Sequence, residues 1–147
     1  SHALLSWFPD GKWLAVVGKT NPSEPYALFL LSIESGEKRR LTSPPQRIFG
    51  DASPAVSPDG RAVVFSRFVA DNISDLFLLE LSVELMPKWE PARLTFESRY
   101  SDHGAWTPDG SCHRIQFRHI PYSGPVGNST FPARVKDNEA GTPDVRR

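Results

Sequence analysis

The sequence predicts an all-β fold: a fragment of a β-propeller, with about two four-stranded antiparallel blades and the start of a third. Three observations lead there. Pro-Asp-Gly occurs at Pro9-Asp10-Gly11, Pro58-Asp59-Gly60 and Pro108-Asp109-Gly110, spaced by 49 and 50 residues. The first two copies are followed by "KWLAVVG" and "RAVVFS", apolar β-branched runs too short for helices. No segment shows a helical period with caps.

Each element has a physical basis. Proline pre-sets the first turn position, aspartate bonds the following backbone, and glycine accepts positive φ, which is a type I turn closed by a glycine bulge. "KWLAVVG" and "RAVVFS" read as strands buried on both faces. The next strands are "YALFLLSI" (26–33) and "DLFLLELSV" (75–83). Polar or proline-containing turns, "ESGEK" and "ELMPKWEP", lead to the edge-like "RRLTS" and "ARLTF". "SPAVSPDG" (53–60) and "HGAWTPDG" (103–110) recur in phase, so the repeat has four matching elements. Its period exceeds the roughly 40–45 residues of the best-known propeller repeat. The excess is expected in polar connections such as "RFVADNISD".

Such a unit is apolar on both faces and must stack. Closure of a ring needs at least about four blades, and two complete periods fit between the first and third turns. An open face of roughly 500 Å² would forfeit about 12 kcal/mol, which rivals the whole stability of an ordinary domain. The chain is therefore read as a fragment whose end blades lack neighbours.

Composition narrows the function classes. The 147 residues suit one domain, and 17 basic against 17 acidic side chains leave no footprint for nucleic acid or an anionic membrane. No apolar run approaches a membrane span. "ALLSWF" lacks the basic flank of a secretion signal, and the chain starts at Ser1 without Met. A single cysteine, Cys112, excludes an internal disulfide.

The pattern "P-A-V/W-S/T-P-D-G-K/R", an apolar strand, a second strand and "R-L-T" resembles the repeat of TolB-like β-propellers over residues 6–110. That resemblance implies a non-catalytic scaffold or binding module for protein or ligand contacts, with a periplasmic setting. It equally allows the gating propeller of a prolyl-oligopeptidase-like serine peptidase, or the C-terminal sensor domain of a bacterial transcription regulator. It implies no cofactor and no metal, and its partners are proteins.

Function in such folds lives in the loops at the blade mouths. The candidate loops are 20–25, 43–51, 69–75 and 97–103, in which Arg47, Phe49, Arg99 and Tyr100 supply the guanidinium and aromatic groups enriched at interfaces. Other residues invite chemistry and are given plainer roles. Ser101-Asp102-His103 has triad residue types, but adjacent side chains point apart. Cys112, His113 and His119 lack a fourth ligand at zinc spacing. Asp10, Asp59 and Asp109 are explained by turns, and Trp7 and Trp106 by blade-to-blade packing. Asn72-Ile73-Ser74 and Asn128-Ser129-Thr130 match the glycosylation sequon, a motif short enough to arise by chance. No serine elbow, phosphate loop or His-Glu-x-x-His is present.

After Gly110 the repeat changes. Residues 111–147 carry scattered prolines and no second apolar run, and are expected to form an irregular or disordered tail. Out-of-frame translation accounts for it. Codons for Cys112 to Gln116, shifted one base forward, permit "A-I-V-F-S", with Phe as far from Gly110 as Phe65 is from Gly60. Codons for Glu139 to Val145 likewise permit "K-P-A-R-L-T-F", matching 91–96. Sequencing the nucleic acid past codon 147 should reveal further R-L-T and Pro-Asp-Gly units in the shifted frame. Stop codons there would establish 111–147 as a genuine tail.

Overall fold

The structure, a computed structural model, describes residues 4–96, 103–115 and 130–131. The first sheet contains β1 (Leu5–Trp7), β2 (Trp13–Gly18), β3 (Ala27–Ser32) and β4 (Lys38–Arg40), paired antiparallel in that order. The second repeats it with β5 (Asp51–Val56), β6 (Ala62–Ala70), β7 (Ile73–Glu80) and β8 (Ala92–Arg93). A third sheet contains β9 (His103–Trp106), β10 (Cys112–Ile115) and β11 (Thr130–Phe131). No helix occurs among the described residues.

The three Pro-Asp-Gly segments make one turn three times. Gly11, Gly60 and Gly110 have φ of 68°, 70° and 80°, and their N–H groups donate to the carbonyls of Phe8, Ser57 and Thr107 at 3.0, 2.9 and 2.9 Å. The aspartates accept from the amides of Lys12, Arg61 and Ser111 at 2.9, 2.9 and 3.0 Å. Thr107 and then Ser111 hold the Asp109 carboxyl below its ordinary range. At Asp59, burial pushes upward, but the Ser57 hydroxyl and the Arg61 amide outweigh it. Whatever these lowered carboxyls contribute to stability is present above the ordinary aspartate range and fades as pH falls through their folded values.

R-L-T is the latch of the outermost strand. Leu41 and Leu94 donate to the carbonyls of Leu28 and Leu76 at 2.8 and 2.7 Å. Thr42 and Thr95 hydroxyls accept the amides of Leu28 and Leu76 at 2.8 and 3.0 Å. The arginines pair across the blade, Arg40 with Glu24 at 2.6 Å and Arg93 with Asp75 at 2.5 Å. Regular pairing thus ends at Arg40 and Arg93, and threonine finishes the ladder where β4 and β8 stop.

Two features depart from the sequence-based reading. "RFVADNISD" is no polar connection: β6 and β7 run through it, with Arg67 opposite Asp75, Phe68 opposite Ser74 and Ala70 opposite Ile73. Its polar residues are tolerated because their partners are inside the sheet. Arg67 reaches buried Asp51 with two bonds, at 2.6 and 2.9 Å. Strand pairing also continues past Gly110 through Ile115, because Cys112 to Ile115 align with Trp106 to His103. Most of the remaining tail lies outside the described residues.

The core lies between the first two sheets. Phe8, Ala15, Leu28, Leu30 and Leu41 of the first pack on Val63, Phe65, Leu79 and Leu81 of the second. At roughly 1.5–3 kcal/mol for each fully buried large apolar side chain, this interface dominates the stability. β5 sits centrally, against β1, β2 and β3 on one side and β9 on the other. Pro54 lacks an amide for the ladder, and β5 absorbs it in a bulge between Ala52 and Ala55 with Ser53 at φ 50°. Gly104 brings β9 close: a Cβ there would lie 1.9 Å from Val64 Cγ1.

Replacing Thr95 by Val should destabilise the chain by about 1–3 kcal/mol, because it strands the Leu76 amide and removes a donor from buried Asp75. Urea denaturation measures this directly. An unchanged midpoint would show that the latch carries no weight.

Candidate functional site

Antiparallel alternation puts the Pro-Asp-Gly turns at one end of the sheets and the loops 19–25, 43–50 and 71–72 at the other. At that second end an open pocket of ≈ 390 Å³ is lined by Arg47, Ile48, Phe49, Phe68, Ala70, Asp71 and Asn72. The 43–50 loop forms one wall and the tip of the β6–β7 hairpin the other.

The loop is anchored by backbone. Tyr26 donates to the Phe49 carbonyl at 3.0 Å, and Asp51 donates to the Tyr26 carbonyl at 2.8 Å. Only glycine fits between them: Gly50 has φ 109°, and a Cβ there would lie 2.1 Å from the Tyr26 oxygen. Phe49 is thereby held between Tyr26 and Phe68, with ring centroids 5.0 and 4.8 Å away, yet it remains 49% exposed. Lys19 caps the far face of this row, 4.3 Å from the Tyr26 ring centre.

Both walls hold a residue in the left-handed region, Arg47 at φ 71° and Asn72 at φ 57°. Asparagine takes this conformation readily, whereas arginine there is strained by roughly 1 kcal/mol or more. Strain of this kind concentrates at ligand clamps and switch regions. Arg47 and Asp71 give the pocket one charge of each sign. Behind the 43–50 loop, the Asp51 carboxyl is pushed above its ordinary value by burial, against the pull of Arg67 and Thr42.

Arg47 and Phe49, singled out from sequence, therefore meet in one pocket. Arg99 and Tyr100 lie outside the described residues. Phe68, Asp71 and Asn72 were not singled out, although Asp-Asn between two strand runs signals a tight hairpin tip and would have placed them at the mouth. The Asp51–Arg67 pair was also missed, because nothing local in the sequence joins residues 16 apart.

The other tempting residues take structural places. His103 opens β9, opposite Ile115, while Ser101 and Asp102 fall outside the described residues. The Cys112 thiol is 2% exposed and burial pushes it up to about 11, so it is a protonated core group and no nucleophile at neutral pH. His113 belongs to β10, and His119 is not among the described residues. No group of three or more metal-ligating side chains converges among the described residues. Trp106 donates from its indole to the Ala55 carbonyl at 2.8 Å, bridging third and second sheets. Trp7 does not bridge: it is 55% exposed.

The repeated sheets match solved propellers. TolB from Acinetobacter baumannii superposes with a TM-score of 0.58 at 22% identity, over 81% of this chain and 30% of that one. The TolB structure from Agrobacterium tumefaciens gives 0.59 at 20% identity, over 93% and 41%. The fold is that of part of a TolB-like β-propeller. The TolB-like sheets also match Kuenenia stuttgartiensis hydrazine synthase, with a TM-score of 0.52 at 17% identity over 75% and 35%. The chain thus spans about a third of the length of the structures it matches. No protein-family model matches it, and no curated protein matches it in sequence.

Replacing Arg47 by Gly should stabilise the TolB-like fold by about 1 kcal/mol by releasing the left-handed strain. Thermal melting reads the gain. A loss would mean that Arg47 contributes contacts worth more than its strain.

Proposed function

We propose that the chain is a non-catalytic scaffold that grips a protein segment at this mouth pocket. One observation carries the reading: Phe49 stands half-exposed but immobilised between Tyr26 and Phe68, with a strained arginine beside it. A rigid aromatic anchor loses little entropy on binding, and aromatic and arginine side chains dominate hot spots. The pocket suits an apolar side chain packed on Phe49 and Phe68. Arg47 suits a carboxylate or backbone carbonyl next to it on the bound segment.

The resemblance to TolB-like propellers favours a periplasmic setting and a protein partner over a small metabolite. Nothing in the pocket supplies a nucleophile with its base, so the reading assigns it capture and no bond cleavage.

Random peptides displayed on phage and selected on the immobilised chain test this. Peptides so selected should bind Phe49→Ala at least about tenfold more weakly, the loss typical of an anchor residue. Equal binding to the wild type, to Phe49→Ala and to Arg47→Ala would sink the proposal.

A further inference from the structure

Each repeat presents a leading face, which turns toward the preceding sheet, and a trailing face. In the second sheet the leading face is formed by Val56, Val63, Phe65, Phe77, Leu79 and Leu81. Four of these, Val63, Phe65, Leu79 and Leu81, are fully buried, and Val56 and Phe77 pack on the same cluster. What covers them is the trailing face of the first sheet, through Trp13, Ala15, Val17, Leu28 and Leu30. In the third sheet, the leading residue Trp106 occupies the place of Val56 and bonds to Ala55 on the second sheet.

The first sheet carries the same leading face without a neighbour. Its inner strand orients by one contact: the Ser6 hydroxyl accepts the Val56 amide at 3.1 Å, so Ser6 faces the second sheet. Alternation then turns Leu5 and Trp7 the opposite way. Leu5 opposes Val16 and Trp7 opposes Leu14, extending an apolar face onto β2. Lys38 and Arg40 lie over the Phe29 ring at 4.2 and 5.2 Å and shield it. Leu5, Trp7 and Ile33 stay 50%, 55% and 49% exposed, whereas Leu81, the counterpart of Ile33, is 0% exposed.

We infer that this leading face, centred on Leu5 and Trp7, docks a second copy of the chain. The second copy offers the trailing face of its third sheet. Trp7 there repeats what Trp106 does within one copy: its indole N–H donates to the backbone carbonyl of Ala105, the counterpart of Ala55. The contact is head-to-tail, so the two copies use different surfaces. Ring geometry agrees. The three sheets of one copy fall short of the four to eight blades of closed propellers, and the six sheets of two copies fall within that range.

Sedimentation equilibrium of the full chain across micromolar concentrations tests this. Wild type should self-associate. Trp7→Ala should weaken association at least about tenfold, as expected of a central tryptophan. Trp7→Phe keeps the ring and loses only the N–H, and should weaken it about fivefold. Trp89, 70% exposed outside this face, is the control, and Trp89→Ser should leave association unchanged. A wild-type chain that stays monomeric overturns the inference. So does undiminished association of Trp7→Ala or Trp7→Phe, or an equal loss in Trp89→Ser, which would indicate unspecific stickiness.

Discussion

Everything in this chain depends on sheets that are apolar on both faces. A sheet with one polar face can end a stack, and these sheets cannot. Leu28 and Leu30 point to one side of β3 while Phe29 and Leu31 point to the other, so burying one row leaves the second uncovered. The repeat is therefore a rule for adding neighbours, and stability resides in the interfaces between units more than within any one of them.

Stacking at close range dictates the finer choices. Gly104 gives β9 room against Val64. Gly60 of one turn lies against Pro9 of the preceding turn, where a Cβ would stand 3.2 Å from the proline ring, so neighbouring turns nest in each other. Arg39 reaches the Glu84 carbonyl at 3.1 Å and ties the same end together. At the opposite end the chain must cross from the outer strand of one sheet to the inner strand of the next. That crossing is the 43–50 loop, and its route past Tyr26 forces Gly50 and Arg47 into left-handed conformations. The pocket thus arises where the geometry of stacking is most constrained.

Much of the fold was legible because its signals are local. Pro-Asp-Gly specifies a turn within four residues, and "LFLL" reads as a strand wherever it stands. The limits of "RFVADNISD" were not legible. An arginine and an aspartate inside a strand look like loop residues until Arg67 is seen against Asp51 across the sheet. The site was half legible for the same reason. Arg47 and Phe49 carry interface chemistry in their own loop, whereas Phe68 and Asn72 join them only because the hairpin folds beside that loop. Trp7 and Trp106 looked alike in sequence and differ in surroundings, since one has a sheet before it and the other does not.

The threonine latch has a bearing on how such chains change over time. Each outer strand is fastened by a leucine backbone and a threonine hydroxyl that act after the connection from the third strand is complete. The length of that connection is then nearly irrelevant to the sheet. Here it is a tight turn between Ser32 and Lys38 in the first unit and an extended excursion past Met86 and Trp89 in the second, with the same latch closing both. Insertions can accumulate at this rim without disturbing the stack, which makes it the natural place for one repeat to acquire a surface its siblings lack.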